Sequence, residues 1–358
     1  MVCCPECFGD RHLRNSLIPL LSTEVGRCTY CETDGVPVLP PAGLSEYFEL
    51  LVSAYQPDAA GKLLVRLFRE DWGLFDHKRM DDPRAKDLLG EILDDGEIVR
   101  RAFSPVKSLD SNRLADWEKL RDELRYKNRF FPEESFDLVR LESLLSHLTT
   151  ASTDEVPVTW YRARIQASDA AIPITEMGAP PNRSASHGRA NPAGIPYLYL
   201  GSTEDTAISE IRPHTGETAC LADFRTPAGL KLVDLRRPRK MVSPFLLADA
   251  EDIGRMRSDL PFLERLGDEL TLPVVPQSAA IDYTPSQYLC EYIKHCGYDG
   301  VIYRSSVSDG MNLALFDPAR AEPGHVSQYR VKRVSVSIAP LEEPDSPLPP
   351  LAQPGPAA

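Results

Sequence analysis

The spacing of apolar residues changes once along this chain, and that change limits the folds open to it. From Leu44 to about His147 apolar residues recur at steps of three and four, as at Leu63, Leu64, Val65, Leu67 and Phe68. That period belongs to amphipathic helices. LSEYFELLVSAY, AGKLLVRLFREDWGLF, DPRAKDLLGEILD, LADWEKLRDELRYK and ESFDLVRLESLLSHL are therefore predicted helices, with Asp81 and Asp82 before Pro83 marking one start. From about Val156 the text turns to strands, VTWYRARI, PYLYLG, LKLVDL, DGVIYRSS and MNLALFD. STEDTAISEIR, EDIGRMRSDLPFLERLGDEL and PSQYLCEYIKHC are the helices between them. The alternation lacks βαβ regularity and no G-x-G-x-x-G follows the first strand. An α+β domain fits better than a doubly wound dinucleotide-binding sheet.

Cysteine spacing defines the segment before the helices. Five of the eight cysteines lie in the first 31 residues. Cys4, Cys7, Cys28 and Cys31 read C-x2-C, a gap of 20 residues, then C-x2-C. Two such knuckles present four thiolates to one tetrahedral Zn2+. Disulfides or a redox pair are the competing readings, and Cys3 or His12 is a substitute ligand. A site filled by four protein ligands is closed and structural. Cys220, Cys290 and Cys296 read as small buried apolar residues.

Composition excludes several classes. The net charge of −13 argues against non-specific duplex binding, which needs a basic surface. It does not argue against a small anion in a locally basic pocket. No apolar run approaches the roughly 20 residues of a membrane span. MVCCPEC has no charged or apolar leader region, so a cytoplasmic location is expected. The expected organisation is a cysteine module at 1–38, helices at 39–152, the α+β domain at 153–337 and a proline-rich disordered tail at 338–358.

Chemistry concentrates in the α+β segment. Alternation in VTWYRARI puts Trp160, Arg162 and Arg164 on one strand face and Tyr161 and Ala163 on the other. Two arginines two residues apart make a clamp for a diphosphate, because guanidinium forks pair bidentately with phosphate oxygens. GRANPAGIPYLYLGSTEDTAISEI, residues 188–211, sets Arg189 and Asn191 in a glycine-rich loop before Tyr197 and Tyr199 on a strand. Tyr199 offers a ring for stacking on a flat heterocycle. Ser202 and Thr203 start the next helix, where Glu210 sits on the shoulder of a stripe formed by Ala207, Ile208 and Ile211. Ser305, Ser306 and Asn312 flank a polar turn between the last two strands read.

These residues occur in an order that resembles the RES domain, named for an arginine, a glutamate and a serine. WYRAR, GRANPAGIPYLYLGSTEDTAISE, YTPSQYLCEYI and GYDGVIYRSSVSDGMNLALF carry the resemblance over residues 156–337. It implies an ADP-ribosyltransferase-like fold and NAD+ as substrate, cleaved by hydrolysis or phosphorolysis or used to ADP-ribosylate a protein. Members of the family are toxins of bacterial toxin–antitoxin pairs, which implies an antitoxin or regulatory partner. Carried over, Arg162, Glu210 and Ser305 are the catalytic set, with Ser306 the alternative serine because Arg304 stands where the family has proline. Arg164, Arg189, Asn191, Tyr199, Ser306 and Asn312 are the implied NAD+ contacts. The segment before the domain is similar, more loosely, to HEPN-like extensions. Within it Arg140 and His147 have the R-x6-H spacing of HEPN ribonucleases, which keeps RNA cleavage as a rival reading. A non-enzymatic nucleotide-binding adaptor is another.

Overall fold

The computed structural model describes residues 1–150, 156–272, 274–275 and 277–335. The tail expected at 338–358 lies outside the described residues, as does the boundary expected near residue 152. At the N-terminus, α1 (Ile18–Leu21) precedes an antiparallel pair, β1 (Glu24–Gly26) and β2 (Val36–Val38). The helical segment holds α2 (Ser45–Val52), α3 (Leu64–Trp72), α4 (Asp82–Leu93), α5 (Arg113–Tyr126) and α6 (Leu138–Ser146). Asp81 and Asp137 cap α4 and α6 through their side chains, satisfying backbone N–H groups that have no intrahelical partner.

One expectation fails in this segment. The helix predicted from Ala60 begins only at Leu64, and β3 (Tyr55–Leu63) pairs with β4 (Ala102–Pro105). Gly61 makes this possible, because a Cβ there would lie 2.0 Å from the Phe103 carbonyl oxygen. Tertiary pairing overrides the local helical pattern.

The remainder is built on an eight-stranded sheet in the order β12-β8-β6-β7-β11-β10-β9-β5. Its strands are β5 (Thr149–Thr150), β6 (Thr159–Ile165), β7 (Leu198–Gly201), β8 (Thr218–Arg225), β9 (Leu232–Asp234), β10 (Gly300–Arg304), β11 (Met311–Leu315) and β12 (Glu322–Arg330). Every pairing is antiparallel except β9 with β10. The helices are α7 (Glu204–Glu210), α8 (Pro238–Met241), α9 (Ala250–Glu269), α10 (Ala279–Asp282) and α11 (Thr284–His295). Strand alternation divides the apolar residues between the faces. Trp160, Leu198, Leu200, Ile302, Leu313 and Leu315 pack together on one side. Val301, Tyr303 and Ala314 turn to the other, where they share one core with α9, α11 and the helices of the N-terminal half.

Two buried carboxylates on α9 bind those helices in place. Asp259 pairs with Arg113 of α5 at 3.0 Å and Arg140 of α6 at 3.1 Å. Glu269 pairs with Arg121 of α5 and with Arg265, each at 2.9 Å, and accepts a hydrogen bond from Trp117 Nε1. Among the described residues, no helix is long and apolar enough to cross a membrane.

Removing one partner of a buried pair leaves the other charges desolvated and unpaired. Asp259→Ala is therefore expected to lower stability by about 3 kcal/mol. The expected readout is a lower urea midpoint with an unaltered slope. An unchanged midpoint would show that the arginines find other partners.

Candidate active site

The centre of the sheet contains a split. β6 runs beside β7, yet the two strands are in register at one pair only, Tyr161 with Gly201. Beyond that pair the Tyr199 carbonyl accepts a hydrogen bond not from a strand N–H but from Arg162 Nη1, at 3.2 Å. A cavity of about 340 Å3 opens at the split. Arg162, Arg189, Tyr199, Glu210 and Asn312 all line it.

Glu210 is placed by the end of α7. Thr203 starts this helix, its hydroxyl accepting from the Thr206 N–H at 3.1 Å. At the other end, Glu210 Oε1 accepts from the Ser305 hydroxyl at 2.7 Å and from Asn312 Nδ2 at 2.6 Å. Both bonds fall on one oxygen. Among the described residues Oε2 has no partner, so the carboxylate is oriented with one oxygen available at the cavity. Neither serine lines the cavity; the hydrogen bond separates them, since Ser305 meets Glu210 while Ser306 is exposed on the turn.

The arginine is held differently. Arg162 is largely buried, and among the described residues it has no carboxylate partner. Its Nε is buried without a hydrogen bond. Burial, with Arg164 beside it, pushes its pKa down to about 10, which leaves it charged at neutral pH. A buried cation lacking a counter-charge suits an anionic ligand. Arg164 lies outside the 340 Å3 cavity. Its Nη2 donates to the Gly178 carbonyl at 2.9 Å, and it lines an adjoining groove of about 560 Å3 to which Arg162 also contributes. The cavity and the groove share Arg162, Ala163 and Ile211 in their linings.

Asn191 and Tyr199, expected as ligand contacts, spend their polar groups on the loop. Asn191 is buried, and its Nδ2 lies within hydrogen-bond distance of the Ser186, Pro192 and Ile195 carbonyls. Its Oδ1 accepts from the Tyr199 hydroxyl at 2.7 Å, and that hydroxyl accepts from the Ala190 N–H at 3.0 Å. The Tyr199 ring still forms cavity wall. A Cβ on Gly188 would meet Asn191 Oδ1 at 2.5 Å and the Tyr199 hydroxyl at 2.6 Å, so the loop requires glycine at that position. Helix α11 completes the support: Ser286 Oγ donates to the Arg189 carbonyl at 2.5 Å and Gln287 Nε2 to the Gly188 carbonyl at 2.8 Å. Arg189 itself donates from Nη1 to the Leu272 carbonyl at 2.5 Å and lies over the Tyr283 ring.

Sequence reasoning did not pick out Tyr161, Tyr283 and Tyr303, which also line the cavity. Tyr303 had a signal: period two places it on the strand face of Ser305. Burial raises its pKa well above the usual tyrosine value, so it presents a neutral hydroxyl. Ser286 and Gln287 carried no such mark, since only the tertiary contact of α11 with the loop reveals their role.

The N-terminal cysteines come together. Sγ atoms of Cys4, Cys7, Cys28 and Cys31 all lie within 4.8 Å of one another, and all four residues are buried. Cys3 stands apart, its thiol 3.6 Å from the Leu39 carbonyl. In the helical segment Arg140 is engaged with Asp259, as described above, and His147 caps the end of α6.

Residues 159–335 match the RES domain family, and this part of the chain is a RES domain. No curated protein matches the chain. Among solved structures the chain is similar to the crystal structure of the M. tuberculosis MbcT-MbcA toxin-antitoxin complex, at 14% identity over 53% of this chain and 92% of that one, with a TM-score of 0.33.

Tyr199→Phe removes the hydroxyl that joins Asn191 to the Ala190 N–H. It is expected to cost about 1 kcal/mol of stability and to accelerate amide exchange across residues 186–195, measured by mass spectrometry. Unchanged exchange would show that α11 alone secures the loop.

Proposed function

We propose that this protein consumes NAD+ by cleaving the bond between nicotinamide and ribose. The observation that carries the reading is Glu210, a carboxylate at the cavity fixed through one oxygen by Ser305 and Asn312 with its other oxygen uncommitted. Glycosidic cleavage passes through an oxocarbenium-like state, and a preorganised carboxylate stabilises the positive charge that develops. The C1′–N bond breaks with its electron pair passing to the nicotinamide nitrogen, which becomes neutral. An oxygen of water or phosphate forms the new C1′–O bond, and Glu210 Oε2 takes the proton that water gives up. Arg162 and Arg164 hold the diphosphate along the split, while the Tyr199 ring packs beside the nicotinamide. Transfer of ADP-ribose to a protein needs the same bond cleavage and differs only in the acceptor.

Uncontrolled loss of NAD+ harms the cell that makes such an enzyme. This supports a role as a toxin or defence effector acting in the cytoplasm and restrained by an antitoxin or regulatory protein. Arg140 is paired with the buried Asp259, so it lends no support to the rival ribonuclease reading.

The four thiolates fit a structural Zn2+. A tetrahedral ion with Zn–S bonds of about 2.3 Å places sulfurs roughly 3.8 Å apart. The Cys4–Cys31 and Cys7–Cys28 sulfurs lie 3.4 and 3.3 Å apart, close to that spacing. Elemental analysis is expected to find one zinc per chain, and chelation to lower the melting temperature. Metal-free protein of equal stability would contradict the assignment.

Nicotinamide release from NAD+, followed by chromatography with and without phosphate, tests the activity. Glu210→Gln keeps a hydrogen-bond acceptor and loses the charge, so it is expected to lower the rate by about two to three orders of magnitude. Ser305→Ala removes an orienting bond and is expected to cost about tenfold. Turnover unaffected by Glu210→Gln would remove the carboxylate from the mechanism.

A further inference from the structure

A second concave surface lies on the other side of Ser305. It is a groove of about 1040 Å3 between the N-terminal cysteine segment and the RES domain. Six cations line it: Arg11 and Arg14 from the N-terminal segment, Arg236, Arg237 and Lys240 around the start of α8, and Arg304 at the end of β10. Two carboxylates share the lining, Asp234 and Asp309. Asp234 is buried and already held by Arg236 Nε, at 2.9 and 3.0 Å from its two oxygens. A chain of net charge −13 has thus gathered positive charge from three separate segments onto one concave wall.

We propose that this groove binds a compact oligophosphate, an anion carrying two or more linked phosphate groups. Five of the six cations are arginines, whose planar forks match phosphate oxygens bidentately. Several of them pair with carboxylates that solvent reaches, Arg14 with the half-buried Glu6, Lys240 with the exposed Asp76 and Arg304 with the half-buried Asp268. Such pairs are worth little and yield readily to a multiply charged ligand. Arg237 is exposed and has no partner among the described residues. Among the described residues no aromatic ring lines the groove, so they offer no platform for stacked bases. A long nucleic acid would also meet the acidic surface beyond the groove. A compact anion feels mainly the local field, because charges farther than about 8–10 Å are screened.

The groove meets the candidate active site at one residue. Ser305 forms part of its wall and also donates to Glu210. Arg304, next in the chain, is bonded to Asp268 at 2.9 Å, and Ser308 of the same turn lies 3.1 Å from Thr206 Oγ1 on α7. An anion that engages Arg304 therefore acts on the turn that orients the carboxylate. Binding in the groove and binding in the cavity are linked, and each changes the affinity for the other. This coupling rests on the function proposed for Glu210; the binding site itself does not.

Calorimetric titration of the full chain with inorganic triphosphate tests the site without turnover of NAD+. One equivalent is expected to bind, with inorganic phosphate at equal ionic strength binding far more weakly. Arg237→Ser and Arg14→Ser are each expected to weaken triphosphate by about tenfold, the loss of roughly 1.4 kcal/mol, with the melting temperature unchanged. Arg164→Ser is expected to leave the affinity as it is. Loss of binding in Arg164→Ser with retention in Arg237→Ser would place the anion on the NAD+ diphosphate path and overturn the proposal. Absence of binding at millimolar triphosphate would also overturn it, as would tighter binding of a single-stranded oligonucleotide than of triphosphate. Nicotinamide release that responds to triphosphate in the wild type and not in Arg237→Ser would establish the coupling.

Discussion

The candidate site depends on two neighbouring strands failing to pair. β6 and β7 lie side by side in the middle of the sheet, yet only Tyr161 and Gly201 are in register. Backbone groups freed by such a gap must find other partners. The Tyr199 carbonyl takes one from the Arg162 guanidinium, which brings a buried cation into the opening. Because β7 remains fully paired with β11, the far side of the gap is rigid, and β11 carries Asn312 to Glu210. The cation of β6 and the carboxylate at the end of α7 thus line one cavity.

Around this opening, polar side chains divide into those that hold and those that face the cavity. Asn191, Ser286 and Gln287 are spent on backbone carbonyls of the motif loop. Ser305 and Asn312 are spent on one oxygen of Glu210. Among the groups left uncommitted are the Arg162 and Arg164 Nε atoms and the second Glu210 oxygen. Preorganisation of this kind places charge without reorganisation at the moment of reaction, which is where electrostatic catalysis gains most. The helices of the N-terminal half lie on the same core as α9 and α11. Their arginines neutralise the buried carboxylates of α9, and the N-terminal segment supplies Arg11 and Arg14 to the basic groove.

Much of this was legible in the sequence where local signals agree with tertiary structure. Period-two alternation located β6, β7, β10 and β11 and the faces of Tyr199 and Leu200, and the cysteine spacing brought the four thiolates together. The run YQPDAAGKL has a proline, an aspartate and a glycine, so nothing in its composition marks it as β3; only pairing with β4 does. β8 and β12 were not read because TACLADFR and EPGHVSQYR lack clear alternation, β8 being buried along most of its length. Alternation also set Arg162 on the strand face opposite Tyr161. How it still reaches the cavity depends on the missing β6–β7 ladder, a long-range property that no local pattern encodes. The same applies to Asn191, whose place in the motif suggested a ligand contact while its environment of carbonyl groups makes it a brace.

The most direct measurement is a crystal structure of Glu210→Gln soaked with NAD+. The account expects the nicotinamide ribose beside residue 210, the nicotinamide ring against Tyr199, and the diphosphate on the path between Arg162 and Arg164. A dinucleotide seated in the basic groove, or one whose ribose lies away from residue 210, would contradict it.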